Sequence, residues 1–305
     1  MTKFCITSAD IPNWKSINTG PAIFAQRLNQ ALIRLGHQID TEQPEKNFII
    51  IHGGIYPNCT NVLRLDGLYL GKDMYIKNRF IYESYNAAQH IIFQSNFSKD
   101  MYFHYAGPVN NYSIIHNGID TQDLQKLDFI SKTPTVVINS RNRPHKRLKE
   151  TIEVFADQKL KDIDLIVMGM TNIDFPNASP NVKFSGPVSN IDVLNILQTR
   201  CDALLHPAWL DWCPNSVVEA QALGIPVLCT FNGGTKELVR HGVIAHTEPI
   251  FHPSHPVDLE NPPVMDKTAY INAILKVVTL PRMKLTPQWL APYSIYSTAQ
   301  QYIDV

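Results

Sequence analysis

The chain has 305 residues, enough for one large or two medium hydrophobic cores, and its 27 basic residues are balanced by 27 acidic ones. Zero formal net charge gives no electrostatic case for wrapping nucleic acid, so any anion site must be local. The five cysteines, Cys5, Cys59, Cys201, Cys213 and Cys229, are scattered without a Cys-x-x-Cys pair, which argues against a disulfide frame or a zinc site and fits reduced thiols in a cytoplasmic protein. No apolar run approaches the roughly 18 residues of a membrane span, and the segment Met1 to Cys5 lacks a secretion signal.

In chain order, Lys3 to Thr7 reads as a short strand. Gly20-Pro21 then opens a helix to Leu35, with Ile23, Phe24, Leu28, Leu32 and Leu35 at helical spacing and Gly36-His37 as its stop. A strand, a glycine-bearing loop and a helix can lie against phosphates, which makes Gly20 a candidate. Asn47 to Gly54 is a continuous apolar run ending in Gly-Gly, the pattern of a buried parallel strand, and it carries His52 to the sheet edge, where a lone histidine is more often structural than catalytic. Asn61 to Asp66 is a further strand; Arg64 and Asp66 at its end mark either a salt bridge or a site. Asp73 to Gln89 has helical periodicity, His90 to Ser95 is strand-like, a helix follows from Asn96, and Tyr112 to Asp120 closes a first domain assigned to residues 1–121. Mixed-polarity residues up to Pro134 read as a linker.

The second domain, residues 132–286, opens with a strand, Thr135 to Ser140, that runs straight into Arg141-Asn-Arg-Pro-His-Lys-Arg147. Four cations at a strand exit are ready to meet phosphate, although a solvated basic turn would look the same. Strands at Leu165 to Gly169 and Cys201 to Pro207 follow, with His206 read as strand-end packing. The stretch from Pro207 to Cys229 is a loop with Asp211 at its apex, a helix with Asn215, Ser216 and Glu219 in its first turn, and a strand after Gly224 and Pro226. A helix N-terminus offers unpaired N–H groups and partial positive charge, hence an anionic ligand. Ser216 and Glu219 also have the spacing of a capping box, which by itself would explain Glu219. The segment Pro249 to Pro263 reads as a surface loop, and Met265 to Val278 and Pro287 to Tyr302 as the last helices.

An acidic residue at 211, a second at 219 after seven residues, a helix, Gly224-Ile-Pro-Val227 and the turn Gly233-Gly-Thr-Lys-Glu237 together resemble the signature of retaining GT-B glycosyltransferases of the group 1 type, the family 4-like relatives of glycogen synthases and bacterial mannosyltransferases. The first acid is Asp211 where the family has glutamate. The resemblance implies an α/β fold of two doubly wound Rossmann-like domains facing across a cleft, with the final helix, residues 287–305, crossing back onto the first domain and its Trp289, Tyr293, Tyr296 and Tyr302 packing between the two. It implies transfer of a hexose-type sugar from a nucleoside-diphosphate donor to an acceptor hydroxyl, without a metal or bound cofactor.

By the same resemblance Arg141 and Lys146 hold the diphosphate, Asp211 orients the transferred sugar, Asp66 lies on the acceptor side, and Gly20, Asn215, Ser216 and Glu219 bind the donor, with Glu219 on the ribose hydroxyls. A non-catalytic nucleotide-sugar-binding partner and a nucleotide-sugar epimerase on the same scaffold remain alternatives. Nucleotide base, sugar and acceptor are not legible. Family acceptors are often lipid-linked, which leaves peripheral membrane contact open for a cytoplasmic protein.

Overall fold

The structure is a computed structural model and describes residues 1–17, 19–70, 75–122, 124, 129–130 and 132–305. The expected helix start at Asp73 and parts of the expected linker before Pro134 lie outside the described residues. The first half alternates strand and helix: β1 (Lys3–Thr7), α1 (Gly20–Arg34), β2 (Gln38–Ile39), β3 (Lys46–Ile50), β4 (Thr60–Leu65), α2 (Asn78–Ala87), β5 (His90–Phe93), α3 (Asn96–Ala106) and β6 (Tyr112–Ile114). The strands pair in parallel in the order β2-β1-β3-β4-β5-β6.

The second half does the same: β7 (Thr135–Asn139), α4 (Leu148–Val154), β8 (Asp164–Met168), β9 (Val182–Phe184), α5 (Asn190–Arg200), β10 (Ala203–His206), α6 (Asn215–Ala222), β11 (Val227–Thr230), α7 (Thr235–Leu238), β12 (Gly242–Ala245), α8 (Lys267–Val277), α9 (Pro287–Leu290) and α10 (Ile295–Asp304). Its parallel order is β12-β11-β10-β7-β8-β9. Runs such as Phe48-Ile-Ile50 and Val136-Val-Ile138 are buried along their whole length, because helices cover both faces of each sheet. Strand order reverses between β1 and β3 and between β7 and β10, and loops leaving the carboxyl ends at such reversals are where open α/β sheets place ligands. Among the described residues no helix is long and apolar enough to cross a membrane.

The chain end departs from a single helix over Pro287 to Tyr302. Pro292 lacks the N–H that an interior turn would use, and Ser294 caps α10 by accepting from Tyr296 N, so the segment breaks into α9, one 3₁₀ turn and α10. The break is where the chain changes domain. Trp289 and Tyr293 pack into the second core, with Trp289 Nε1 donating to Gln221 O (2.7 Å) and Tyr293 Oη to Leu238 O (3.1 Å). Ile295, Ala299 and Tyr302 pack into the first. Of the four aromatic residues expected between the domains, Trp289, Tyr293 and Tyr302 thus belong to one core or the other. Tyr296 reaches Arg34 and Asp120.

The two strands of chain that cross between domains run side by side. Ile119 N donates to Tyr293 O and Ile295 N to Ile119 O, each at 2.8 Å. A Cβ on Gly118 would sit 2.6 Å from Ile295 Cα, so only glycine permits this approach. The segment read as a surface loop also crosses: Phe251, Val257 and Leu259 pack against the first core. Its prolines prevent regular structure but leave its apolar side chains free to bury.

Tyr302 is 1 % exposed, with ring centroids 5.7 Å from Phe24 and 5.6 Å from Phe48. Its hydroxyl lies beside the Arg64 guanidinium without a well-formed hydrogen bond. Tyr302→Ala should therefore cost about 3–5 kcal/mol in urea unfolding and Tyr302→Phe less than about 1 kcal/mol. Equal losses in the two variants would contradict this assignment of α10 to the first core.

Candidate active site

Between the two sheets lies a cleft of about 750 Å³ lined by all eight residues singled out in the sequence: Gly20 and Asp66 from the first half, and Arg141, Lys146, Asp211, Asn215, Ser216 and Glu219 from the second. An adjoining cavity of about 600 Å³ shares Asp66, Lys146, Asp211 and Trp212 with it. The carboxyl ends of β4, β7 and β10 deliver Asp66, Arg141 and the 206–214 loop to the same opening.

Each of the three cleft carboxylates is matched with one cation. Arg64 Nη1 lies 2.5 Å from Asp66 Oδ2, Lys146 Nζ 2.5 Å from Asp211 Oδ2, and Arg27 Nη2 2.6 Å from Glu219 Oε1. A carboxylate taken this far from water is tolerated only when paired, and each pair leaves no net negative charge. Arg141 and Arg143 line the same cleft, are exposed, and make no ion pair among the described residues. The cleft therefore carries surplus positive charge despite its three acids.

Two helix N-termini add to that surplus. Thr19, Gly20 and Pro21 open the 15-residue α1 against the cleft, and Pro214, Asn215 and Ser216 open α6. Neither helix has a side-chain cap, and Pro214, as N-cap, has no group that could serve as one. Ser216 and Glu219 do not form the capping box that their spacing allows. The helix begins at Asn215, so Glu219 stands two residues further in than a capping box requires and its carboxylate turns to Arg27. Asn117 ties the opposing walls: it accepts from Arg64 Nη2 (2.8 Å) and donates to Cys213 O (3.1 Å) and Asn215 Oδ1 (2.9 Å), while Asn215 Nδ2 reaches Gly20 O at 3.3 Å.

The basic turn after β7 is divided. Arg147 adopts a left-handed backbone (φ 58°) and buries its guanidinium, donating to Pro263 O at 2.6 Å and lying 3.8 Å from Glu248. Lys146 turns to Asp211. Asp211 itself is fully engaged, with Oδ2 also 2.8 Å from His206 Nε2 and Oδ1 accepting from Trp212 N at 2.8 Å. Burial alone would raise its pKa, but the Lys146 charge and the His206 hydrogen bond hold the carboxyl well below the usual carboxylate range. His206, read as strand-end packing, is thus part of this cluster, and Arg27 and Arg64 are the other members that sequence reasoning did not assign to the site.

Gly233 and Gly234 bring the following turn against this loop. Gly233 has φ 77° and a Cβ there would lie 2.8 Å from Asp211 N; Gly234 N donates to Asp211 O at 2.7 Å. The turn delivers Glu237 to the N-terminus of α3 in the first domain, where it accepts from Asn96 N (2.7 Å) and Phe97 N (2.9 Å). A carboxylate on two uncapped N–H groups is a favourable charge–dipole contact, and here it fastens one domain to the other.

His145, between Pro144 and Lys146, is 7 % exposed, and its pKa falls from 6.5 to about 4, through burial first and then the neighbouring Lys146 charge. Between those two values the unfolded chain binds a proton that the folded protein does not, so stability rises with pH across this window. Acidification from pH 6.5 to 4 should withdraw about 3 kcal/mol at this residue. In His145→Asn the decline in unfolding free energy over that window should be shallower by that amount; an unchanged slope would show that His145 titrates normally.

Residues 120–260 match the family described as Glycosyl transferases group 1. Over 132 residues the chain is 32 % identical to a GDP-mannose-dependent monoacylated alpha-(1-6)-phosphatidylinositol monomannoside mannosyltransferase of Corynebacterium glutamicum, a match covering 38 % of this chain and 34 % of that protein. The matched stretch thus spans about a third of that relative's length. Sucrose-phosphate synthase from Thermosynechococcus elongatus superposes with a TM-score of 0.70 at 12 % identity, over 100 % of this chain and 98 % of that one. HepE from Anabaena, solved in complex with UDP and glucose, gives 0.66 at 15 %, over 100 % and 98 %. At such identities the structural likeness establishes the fold, two Rossmann-like domains of the GT-B type. The half of the cleft that carries Arg141, Lys146, Asp211 and Glu219 lies within the stretch that matches this family.

Proposed function

We propose that the protein transfers a hexose-type sugar from a nucleoside-diphosphate donor to an acceptor hydroxyl, with retention of anomeric configuration and without a metal. The observation that carries this reading is the unpaired Arg141 beside two uncapped helix N-termini, in a cleft whose carboxylates are already neutralised. That is a berth for a compact dianion. As the bond from the anomeric carbon to the diphosphate oxygen breaks, negative charge grows on the leaving group, and fixed cations and helix-end dipoles stabilise it more in the transition state than in the bound donor.

Lys146 has three N–H donors, so its contact with Asp211 leaves others for phosphate. Asp211 holds Lys146 and His206 in place through Oδ2, while Oδ1, which accepts from Trp212 N, keeps a second acceptor site for a sugar hydroxyl as the resemblance implies. The acceptor enters through the adjoining cavity, where Asp66 faces both spaces. Its oxygen attacks the anomeric carbon on the face the diphosphate leaves, and its proton passes to a leaving phosphate oxygen.

One observation favours donor binding without transfer: at the apex of the 206–214 loop the shorter Asp211 stands where the resemblance implies glutamate, and both of its oxygens already accept hydrogen bonds within the protein. Turnover separates the two readings. A panel of UDP-, GDP- and ADP-sugars assayed for nucleoside diphosphate release should give one productive donor, with a product that NMR shows to have kept its anomeric configuration. Arg141 is exposed and unpaired, so Arg141→Ala leaves the fold intact and should lower kcat/KM by about 10²–10³-fold. An inverted product, or near wild-type transfer by the variant, would contradict the mechanism; tight donor binding with no release would establish the binding module.

A further inference from the structure

Arg27 has no counterpart among the motifs that mark the second domain, because it comes from the first. On α1 it follows Gly20 and Ile23 at positions i, i+3 and i+7, so the three share the helix face turned to the second domain, and Gly20 and Ile23 both line the cleft. Phe24, Leu28, Ala31 and Leu32 form the adjoining, core-facing stripe. From this face Arg27 Nη2 spans the domain boundary to Glu219 Oε1, 2.6 Å away and 192 residues further along the chain.

A pair this dry is a poor source of stability. With side chains 15 % and 9 % exposed, desolvation offsets most of the Coulomb gain, and Arg27 Nη1 is buried with no hydrogen-bond partner at all. An apolar pair would hold the two helices together at least as well. The arrangement does something an apolar pair cannot: it fixes one oxygen of Glu219 and cancels its charge beside the space assigned to a diphosphate.

We propose that Arg27 is a positioning residue for donor binding, which orients the Glu219 carboxylate toward the ribose hydroxyls and makes ribose recognition depend on the first domain being docked on the second. The inference rests on the nucleotide-sugar reading of the cleft. Because a carboxylate oxygen accepts more than one hydrogen bond, Arg27 and a ribose hydroxyl share Glu219 and do not compete for it. The loss on removing Arg27 is accordingly a loss of binding.

The test is calorimetric titration of the full chain with UDP and with GDP, on wild type, Arg27→Gln, Arg27→Lys, Glu219→Gln and the Arg27→Gln/Glu219→Gln double variant. Arg27→Gln should weaken the nucleotide that binds wild type by about tenfold or more, and Arg27→Lys, which keeps the charge but not the planar fork, by about threefold. In the Glu219→Gln background, Arg27→Gln should cost nothing further, a coupling that a merely structural role would not produce. Wild-type affinity in Arg27→Gln, or an undiminished loss in the double variant, would overturn the proposal. Should Arg27→Gln not fold, wild-type affinity in Arg27→Lys overturns it equally. A wild-type protein that binds neither UDP nor GDP overturns the nucleotide reading and this inference with it.

Discussion

Three carboxylates, Asp66, Asp211 and Glu219, face one cleft, and each is held within hydrogen-bond distance of a cation, Arg64, Lys146 or Arg27. Everything else about the site depends on that pairing. Unpaired, the acids would repel a diphosphate; paired, they keep their acceptor oxygens and lose their field. The charge left over belongs to Arg141, Arg143 and the N-termini of α1 and α6. The cleft thus combines hydrogen-bond acceptors for hydroxyl groups with a net attraction for phosphate, two properties that conflict without the buried cations.

Of the three pairs, Arg27–Glu219 can form only because the domains are docked, since the other two lie within one domain each. Arg27 and Glu219 sit on opposite domains, and the contact that brings them together is made elsewhere: Glu237 on the N-terminus of α3, Asn117 against Asn215, and the paired crossovers at Ile119 and Ser294. Gly118 and Gly233 matter because each removes a Cβ at a point of backbone approach. A ligand held between the domains would add contacts to both walls, so on the proposed function a bound donor and the closed cleft would support each other.

How much of this the chain reveals before folding follows from the range of the interactions. Strands such as Thr135 to Asn139 and the helix from Gly20 are legible because their apolar spacing and their glycine and proline punctuation are local. Arg141, Lys146, Asp211 and Glu219 stand out because they cluster at strand exits and around one helix end, and that much of the cleft is written within some eighty residues of chain. Arg27 is hidden, since nothing within its own segment distinguishes it from a solvated arginine and its partner lies on another element, whereas Arg64 stands two residues from Asp66 and its pairing is legible as one of two readings. His206 was underestimated for a related reason: its contact with Asp211 depends on how the intervening loop folds back. The spacing of Ser216 and Glu219 pointed to a capping box, but Arg27, a cation from the other domain, competes for the same carboxylate and wins. At the chain end, helical composition hid the break that Pro292 and Ser294 impose, and with it the division of Trp289 and Tyr293 from Tyr302.

The central claim is that this cleft is built around a diphosphate, and the most direct measurement compares nucleosides with their diphosphates. Calorimetry of uridine against UDP and guanosine against GDP should show the diphosphate of the preferred base binding about 10²-fold more tightly, an advantage that shrinks by about tenfold in Arg141→Ala and falls as salt is raised. Equal affinity for nucleoside and diphosphate, or an advantage untouched by loss of Arg141, would contradict the account.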